Sequence, residues 1–170
     1  MIDLKEANTG LWKEVIPEEA GDIRHCYNCG TCISVCPAAE GNPPLLMRSL
    51  VRKVLLGLEE ELIDDDSVWS CVSCNQCMEM CPQGVKPFEV GLAIRRWQCR
   101  EDTTYIPPSL PELYEIGHTQ AVHKVGELRK SVGLEERPPS VVTKPEALEK
   151  YREMLKETEV VKSAPFMFQE

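Results

Sequence analysis

The 170-residue sequence lacks the features that mark most protein classes. No apolar run approaches the roughly 18 residues needed to cross a bilayer, so no membrane span is expected. The opening stretch, MIDLKEANTGLWKEVIPEEA, is acidic and has no apolar signal core, which makes the expected location cytoplasmic. Positive charge is in deficit. Against 28 Asp and Glu stand 19 Lys and Arg, a formal net charge of −9. Phosphate binding needs a basic face, so nucleic acid is not an expected partner. Histidine is scarce, at His25, His118 and His123. No Ser/His/Asp set, Gly-rich phosphate loop or paired-carboxylate motif occurs, and no substrate-converting site is expected.

Cysteine, in contrast, is abundant, with nine residues. A reducing cytosol does not maintain a disulfide framework. Eight of the nine fall into two compact runs, a pattern that points to metal. The first run is Cys26-Tyr-Asn-Cys29-Gly-Thr-Cys32-Ile-Ser-Val-Cys36-Pro37. The second is Cys71-Val-Ser-Cys74-Asn-Gln-Cys77-Met-Glu-Met-Cys81-Pro82. Both read C-x2-C-x2-C-x3-C-P, and they begin 45 residues apart.

This is the spacing of bacterial ferredoxins, which hold [4Fe–4S] clusters on cysteine thiolates and in which the fourth cysteine ligates the other cluster. The proline after that cysteine favours an extended backbone, so the chain leaves the first site and reaches across. The expected cofactors are two [4Fe–4S] clusters. Cluster one takes Cys26, Cys29, Cys32 and Cys81; cluster two takes Cys71, Cys74, Cys77 and Cys36. Four-thiolate zinc sites usually use two separated C-x2-C pairs rather than one run ending in proline. Gly30 and Gly84 are either plain turn glycines or points where backbone amides approach sulfide.

The fold is expected to be mainly α, because strand signals are weak throughout. Leu46, Leu50, Val54 and Leu58 recur between about Leu45 and Leu62, beside Leu45, Val51 and Leu55, and predict a helix behind Pro43 and Pro44. Asp64-Asp65-Asp66-Ser67 suits the cap of a short helix near Val68. A second long helix is expected from Pro87 to about Arg100, with Val90, Ile94 and Trp97 on one face. Pro and Thr mark Asp102–Pro111 as a linker. Further helices are expected from about Thr119 to Val132, ended by Gly133, and from Pro145 to about Glu157. Val122, Val125, Leu128 and Val132 share a face of the former; Leu148 and Leu155 mark the latter. The expected organisation is an N-terminal extension over 1–23, a two-cluster domain over 24–101, and a linker with a helical partner-docking arm over 102–170.

Other residues have plainer readings. Cys99, on the second long helix, reads as a buried small hydrophobe before a redox thiol. Trp69 is a core aromatic, a shield for cluster two, or both. His25 abuts Cys26, but eight cysteines already complete both ligand sets. The acids Glu59–Glu61 and Asp64–Asp66 are a solvated helix end or a docking surface. Arg48, Arg52, Lys53, Arg95 and Arg96 face either water or a partner.

The chain resembles the C subunit of heterodisulfide reductase, of the soluble kind found in methanogenic archaea. The likeness is carried by Arg24-His25-Cys26-Tyr27-Asn28-Cys29-Gly30-Thr31-Cys32, by Leu50-Val51-Arg52-Lys53 with Leu56-Gly57-Leu58, by Val68-Trp69-Ser70-Cys71 and by Cys81-Pro82-Gln83-Gly84-Val85. It continues through His123-Lys124, Glu127-Leu128-Arg129-Lys130, Gly133-Leu134, Pro138-Pro139 and Pro145-Glu146-Ala147-Leu148-Glu149. One departure is the segment Ala38–Pro44, which is more apolar than expected for methanogens. The resemblance implies a non-catalytic electron-relay subunit. It implies electrons arriving from the flavin-bearing A subunit of heterodisulfide reductase and leaving to the catalytic B subunit, which reduces the CoM-S-S-CoB heterodisulfide in methanogenesis. Hydrogenase or formate dehydrogenase subunits complete such complexes, which perform flavin-based electron bifurcation. A freely diffusing two-cluster ferredoxin, or the same relay role in a related complex with another acceptor, is the alternative.

Overall fold

The computed structural model describes residues 5, 7–16, 22–118 and 125–168. The chain divides into two compact units, Met1–Asp102 and Thr103–Glu170. Every regular element among the described residues is helical, as the weak strand signals led one to expect. No helix among them is long and apolar enough to cross a membrane.

The first unit contains α1 (Leu11–Val15), α2 (Thr31–Ser34), α3 (Met47–Leu56), α4 (Glu59–Ile63), α5 (Gln76–Glu79) and α6 (Pro87–Glu101). In α3, Met47, Leu50, Val51 and Val54 are buried at the i, i+3, i+4, i+7 spacing of one helical face. Leu46 lies outside this face and is exposed. In α6, Val90, Ile94 and Trp97 face the same core. Leu11, Val15, Ile23, Leu62 and Val68 complete it. Each such side chain, fully buried, contributes about 1.5–3 kcal/mol of transfer free energy.

The single helix expected from Leu45 to Leu62 is broken in two. Gly57 takes a left-handed conformation (φ +69°) and ends α3, with Leu58 N–H donating back to the Lys53 carbonyl. The segment before α1 crosses there, its Asn8 N–H donating to the Gly57 carbonyl at 2.9 Å. A Cβ at position 57 would lie 2.0 Å from the Asn8 carbonyl oxygen, so both the turn and the crossing require glycine.

The second unit contains α7 (Ser109–Ile116), α8 (Gly126–Ser131), α9 (Pro145–Lys156) and α10 (Glu159–Ser163). The Asp102–Pro111 stretch is not a plain linker. It holds a 3-10 turn at Thr103–Tyr105 and the start of α7, whose prolines precede the helix or sit in its first turn, where no N–H is needed. Tyr114 and Phe168 pack edge to face, 5.7 Å between ring centroids, and Arg152 caps the α7 end by donating to the Tyr114 and Glu115 carbonyls. The helix expected from Thr119 is seen as α8; its predicted start, including Val122, lies outside the described residues. Val125, Leu128 and Val132 are not buried, and Leu128 is 67% exposed. In α9, Leu148 and Leu155 are half-buried.

Candidate metal centres

The two cysteine runs fold alike down to their hydrogen bonds. A 3-10 turn precedes each, anchored by Ile23 in one and Val68 in the other, both buried. An aspartate caps each turn. Asp22 accepts from Arg24 N–H, and Asp65 accepts from Ser67 N–H. Cys26 N–H then donates to the Ile23 carbonyl, as Cys71 N–H does to Val68. Left-handed residues flank the middle cysteine of each run: Asn28 and Gly30 around Cys29, Ser73 and Asn75 around Cys74. Such bends turn N–H groups toward one side, a geometry suited to an anionic group. Gly30 answers the demand with glycine and Asn75 with an asparagine, the side chain best tolerated there. Gly84 is also left-handed, with open space around it.

The chain's crossing places the fourth cysteines. Cys26, Cys29, Cys32 and Cys81 line a first cavity of about 410 Å³, counting its open mouth. Cys36, Cys71, Cys74 and Cys77 line a second of about 360 Å³, and Cys32 touches both. Core residues continue as cavity walls: Val51 and Val85 in the first, Leu45 and Met47 in the second. Cys29 and Cys74 are exposed, one at each site, while the other six thiols are half-buried. The thiols around each recess, with bent backbone beside them, suit a [4Fe–4S] cluster, and the residues present fit that group. Among the described residues no three His, Cys, Asp or Glu groups converge tightly enough for a single metal ion.

The electrostatics link the two sites through Cys32. Burial, then the neighbouring Cys71, Cys32, Cys36 and Cys74, pushes the Cys77 thiol up to about 11. Burial, then Cys26, Cys29 and Cys81 among its neighbours, raises Cys32. Cys29 is lowered, chiefly because the Thr31 hydroxyl lies 3.3 Å from its sulfur.

Several sequence expectations resolve differently. Trp69 does not line the second cavity; Phe88 is the aromatic that does. Trp69 instead donates its indole N–H to Gln98 at 2.8 Å. Gln98 is fully buried and donates to the carbonyls of Leu62, Ile63 and Asp65. Arg95 donates to the Val68 and Cys71 carbonyls and stacks over Trp69. This network holds the turn from which the second run starts, and only the tertiary fold reveals it. Among the acids and bases with open readings, Lys53 pairs with Asp65, and Arg48 lines the first cavity. His25 is exposed and lines neither cavity. Cys99 is half-buried away from both, its thiol raised by burial.

Known proteins resemble this chain in sequence. The family model of a 4Fe-4S dicluster domain matches residues 22–85, so the helical first unit carries such a domain. A protein of Archaeoglobus profundus, named as similar to the heterodisulfide reductase C subunit, is 42% identical over 151 residues, covering 86% of this chain and 79% of the relative. The C subunit of the H(2):CoB-CoM heterodisulfide,ferredoxin reductase of Methanothermobacter thermautotrophicus is 33% identical over 153 residues, 86% of this chain and 81% of the relative. The iron-sulfur C subunit of the CoB–CoM heterodisulfide reductase of Methanopyrus kandleri is 32% identical over 156 residues, 90% and 81%. The chain belongs to the family of heterodisulfide reductase C subunits, the iron–sulfur electron-transfer subunits of an oxidoreductase.

Proposed function

We propose that this chain is the electron-relay subunit of a heterodisulfide reductase complex. It carries electrons on two [4Fe–4S] clusters from the flavin-bearing A subunit to the catalytic B subunit that reduces CoM-S-S-CoB, with hydrogenase or formate dehydrogenase feeding the larger, bifurcating assembly. Cys26, Cys29, Cys32 and Cys81 hold one cluster; Cys71, Cys74, Cys77 and Cys36 hold the other. The clusters supply one-electron storage. The chain holds them side by side, walls them with its core, and leaves one edge of each open. The observation that carries this reading is the pair of adjoining four-thiol cavities, each with one exposed cysteine at its rim. Two stops with separate openings suit a path between two partners.

The docking arm is residues 102–170. Val125, Leu128, Val132 and Leu134 are exposed together in and beside α8, and apolar groups so grouped suit burial against another protein of the complex. Partner capture from cytoplasmic extracts of native cells tests the reading. The full chain should copurify with a flavoprotein and a disulfide-reducing protein, and deletion of 103–170 should abolish that while leaving iron and sulfide content unchanged. A full chain that purifies alone and reduces many unrelated enzymes sinks it.

The higher identity to the Archaeoglobus profundus relative favours a second reading, the same relay in a related complex with another acceptor. Turnover of the captured complex on CoM-S-S-CoB, set against other disulfides, separates the two.

A further inference from the structure

The two cavities share one backbone plan, yet their walls differ in chemistry at related positions. Position 27 is Tyr where its counterpart, 45 residues on, is Val72. Position 31 is Thr where its counterpart is Gln76. The second residue of the helix after each run lines a cavity: Arg48 of α3 in the first, Phe88 of α6 in the second. The Thr31 hydroxyl lies 3.3 Å from the Cys29 sulfur, and Tyr27 lines the same cavity. Once Cys29 is a thiolate, it can only accept from Thr31. Arg48 presents its guanidinium at the wall beside Gly30, so close that a Cβ there would lie 3.2 Å from it. A guanidinium keeps its charge at any working pH.

Each difference has the same sign. A hydroxyl on a ligand sulfur and a cation on the wall both favour the state with one more electron. An aromatic wall and a valine do not. The opposing feature is Arg95, whose charge stands on the Val68 and Cys71 carbonyl oxygens behind the second run but does not line its cavity, as Arg48 lines the first.

We propose that Arg48 and Thr31 set the cluster in the first cavity at a higher reduction potential than the one in the second, so that electrons enter at the Cys74 edge and leave at the Cys29 edge. One electron lost by the second site is gained by the first, with no bond made or broken. Its source is the reduced flavoprotein of the proposed relay, on whose two-cluster reading this inference rests. It goes further in giving the relay a direction: the donor docks by Val72 and Cys74, the acceptor by Tyr27 and Cys29.

The test is a redox titration of the full, cluster-loaded chain followed by electron paramagnetic resonance. Cys29→Ser and Cys74→Ser, each altering one signal, assign the two potentials to their sites. Iron and sulfide near eight each per chain come first; a chain that does not load two clusters defeats the underlying reading together with the inference. In the loaded chain the first site should be the more positive. Thr31→Val and Arg48→Met combined should shift the equilibrium between the sites at least tenfold toward the second, about 59 mV for one electron, with the second potential unmoved. The graft Phe88→Arg should raise the second site alone. Two loaded clusters whose first site is the more negative, or whose potentials ignore the double variant, overturn the proposal and leave the two-cluster reading standing. So does a gap governed by Arg95→Met rather than by Arg48→Met.

Discussion

The two units of this chain treat polarity in opposite ways. The first buries a glutamine completely and satisfies it with four hydrogen bonds, while its leucines and valines close around the thiols. The second leaves Leu128 and Val132 each 67% exposed and has a smaller set of buried side chains, among them Ile106, Tyr114, Val161, Ala164 and Phe168. A unit that must hold two groups in fixed places gains from a polar clamp, because a satisfied buried network admits few arrangements. A unit whose apolar helix stands open gains its remaining burial only from something else.

The comparison breaks most visibly at the cysteines. Cys36→Ser should remove about four iron from the site of the second run, and Cys81→Ser about four from that of the first, read as iron content and as the surviving resonance. Loss confined to each mutant's own run would show that the runs do not cross. Truncation at 102 bears on the other unit, where partner capture rather than iron content should be lost.

Gln98→Leu is the sharpest probe of the buried network. It takes the acceptor from the Trp69 N–H and the donor from three carbonyls, of which only that of Leu62 keeps a bond, from Asp65 N–H, among those described, and should lower the unfolding free energy of the loaded chain by about 3 kcal/mol in denaturant titration. A change under about 1 kcal/mol would mean that the clamp is replaceable.

The Lys53–Asp65 pair supports the same turn and contributes less. Burial alone would raise the Asp65 carboxyl, but the Lys53 and Ser67 hydrogen bonds outweigh it and leave the group below its ordinary value. A depressed carboxyl stabilises the fold above its unfolded pKa, near 3.9, and loses that contribution as pH falls through its folded value. Asp65→Asn should therefore cost about 1–2 kcal/mol. The gap from wild type should stay flat from pH 8 to pH 5 and close only below about 4. A gap that varies between pH 5 and 8 would place the effect elsewhere.

In the second unit the expectation inverts. Leu128→Ser with Val132→Ser should change the stability of the isolated chain by no more than about 0.5 kcal/mol per site, since both side chains are already in water. It should weaken capture of the disulfide-reducing partner about tenfold, equal to about 1.4 kcal/mol. Destabilisation of the free chain, measured by thermal unfolding, would return these residues to its own core.

Much of this was legible before any coordinates. The doubled C-x2-C-x2-C-x3-C-P run names its cofactor because thiolate ligation depends on spacing along the chain, a one-dimensional property. The helix from Pro87 and the one from Pro145 were legible because each starts with a proline that suits its first turn and continues with helical periodicity. The break at Gly57 was not, since apolar spacing ran on through it and only the crossing of the Asn8 segment requires a glycine there. The start of α7 was hidden by prolines that resemble a linker's.

The sequence by itself determined the doubled cysteine run, the helical class and the family likeness, because each rests on residue identity at short separations. The tertiary structure decided which aromatic walls the second cavity, that Gln98 and Arg95 brace Cys71, and that Arg48 stands at the first cavity while Phe88 stands at the second. Those contacts join positions tens of residues apart, where no local pattern marks the partner, and only packing of α3 and α6 around one core brings them together.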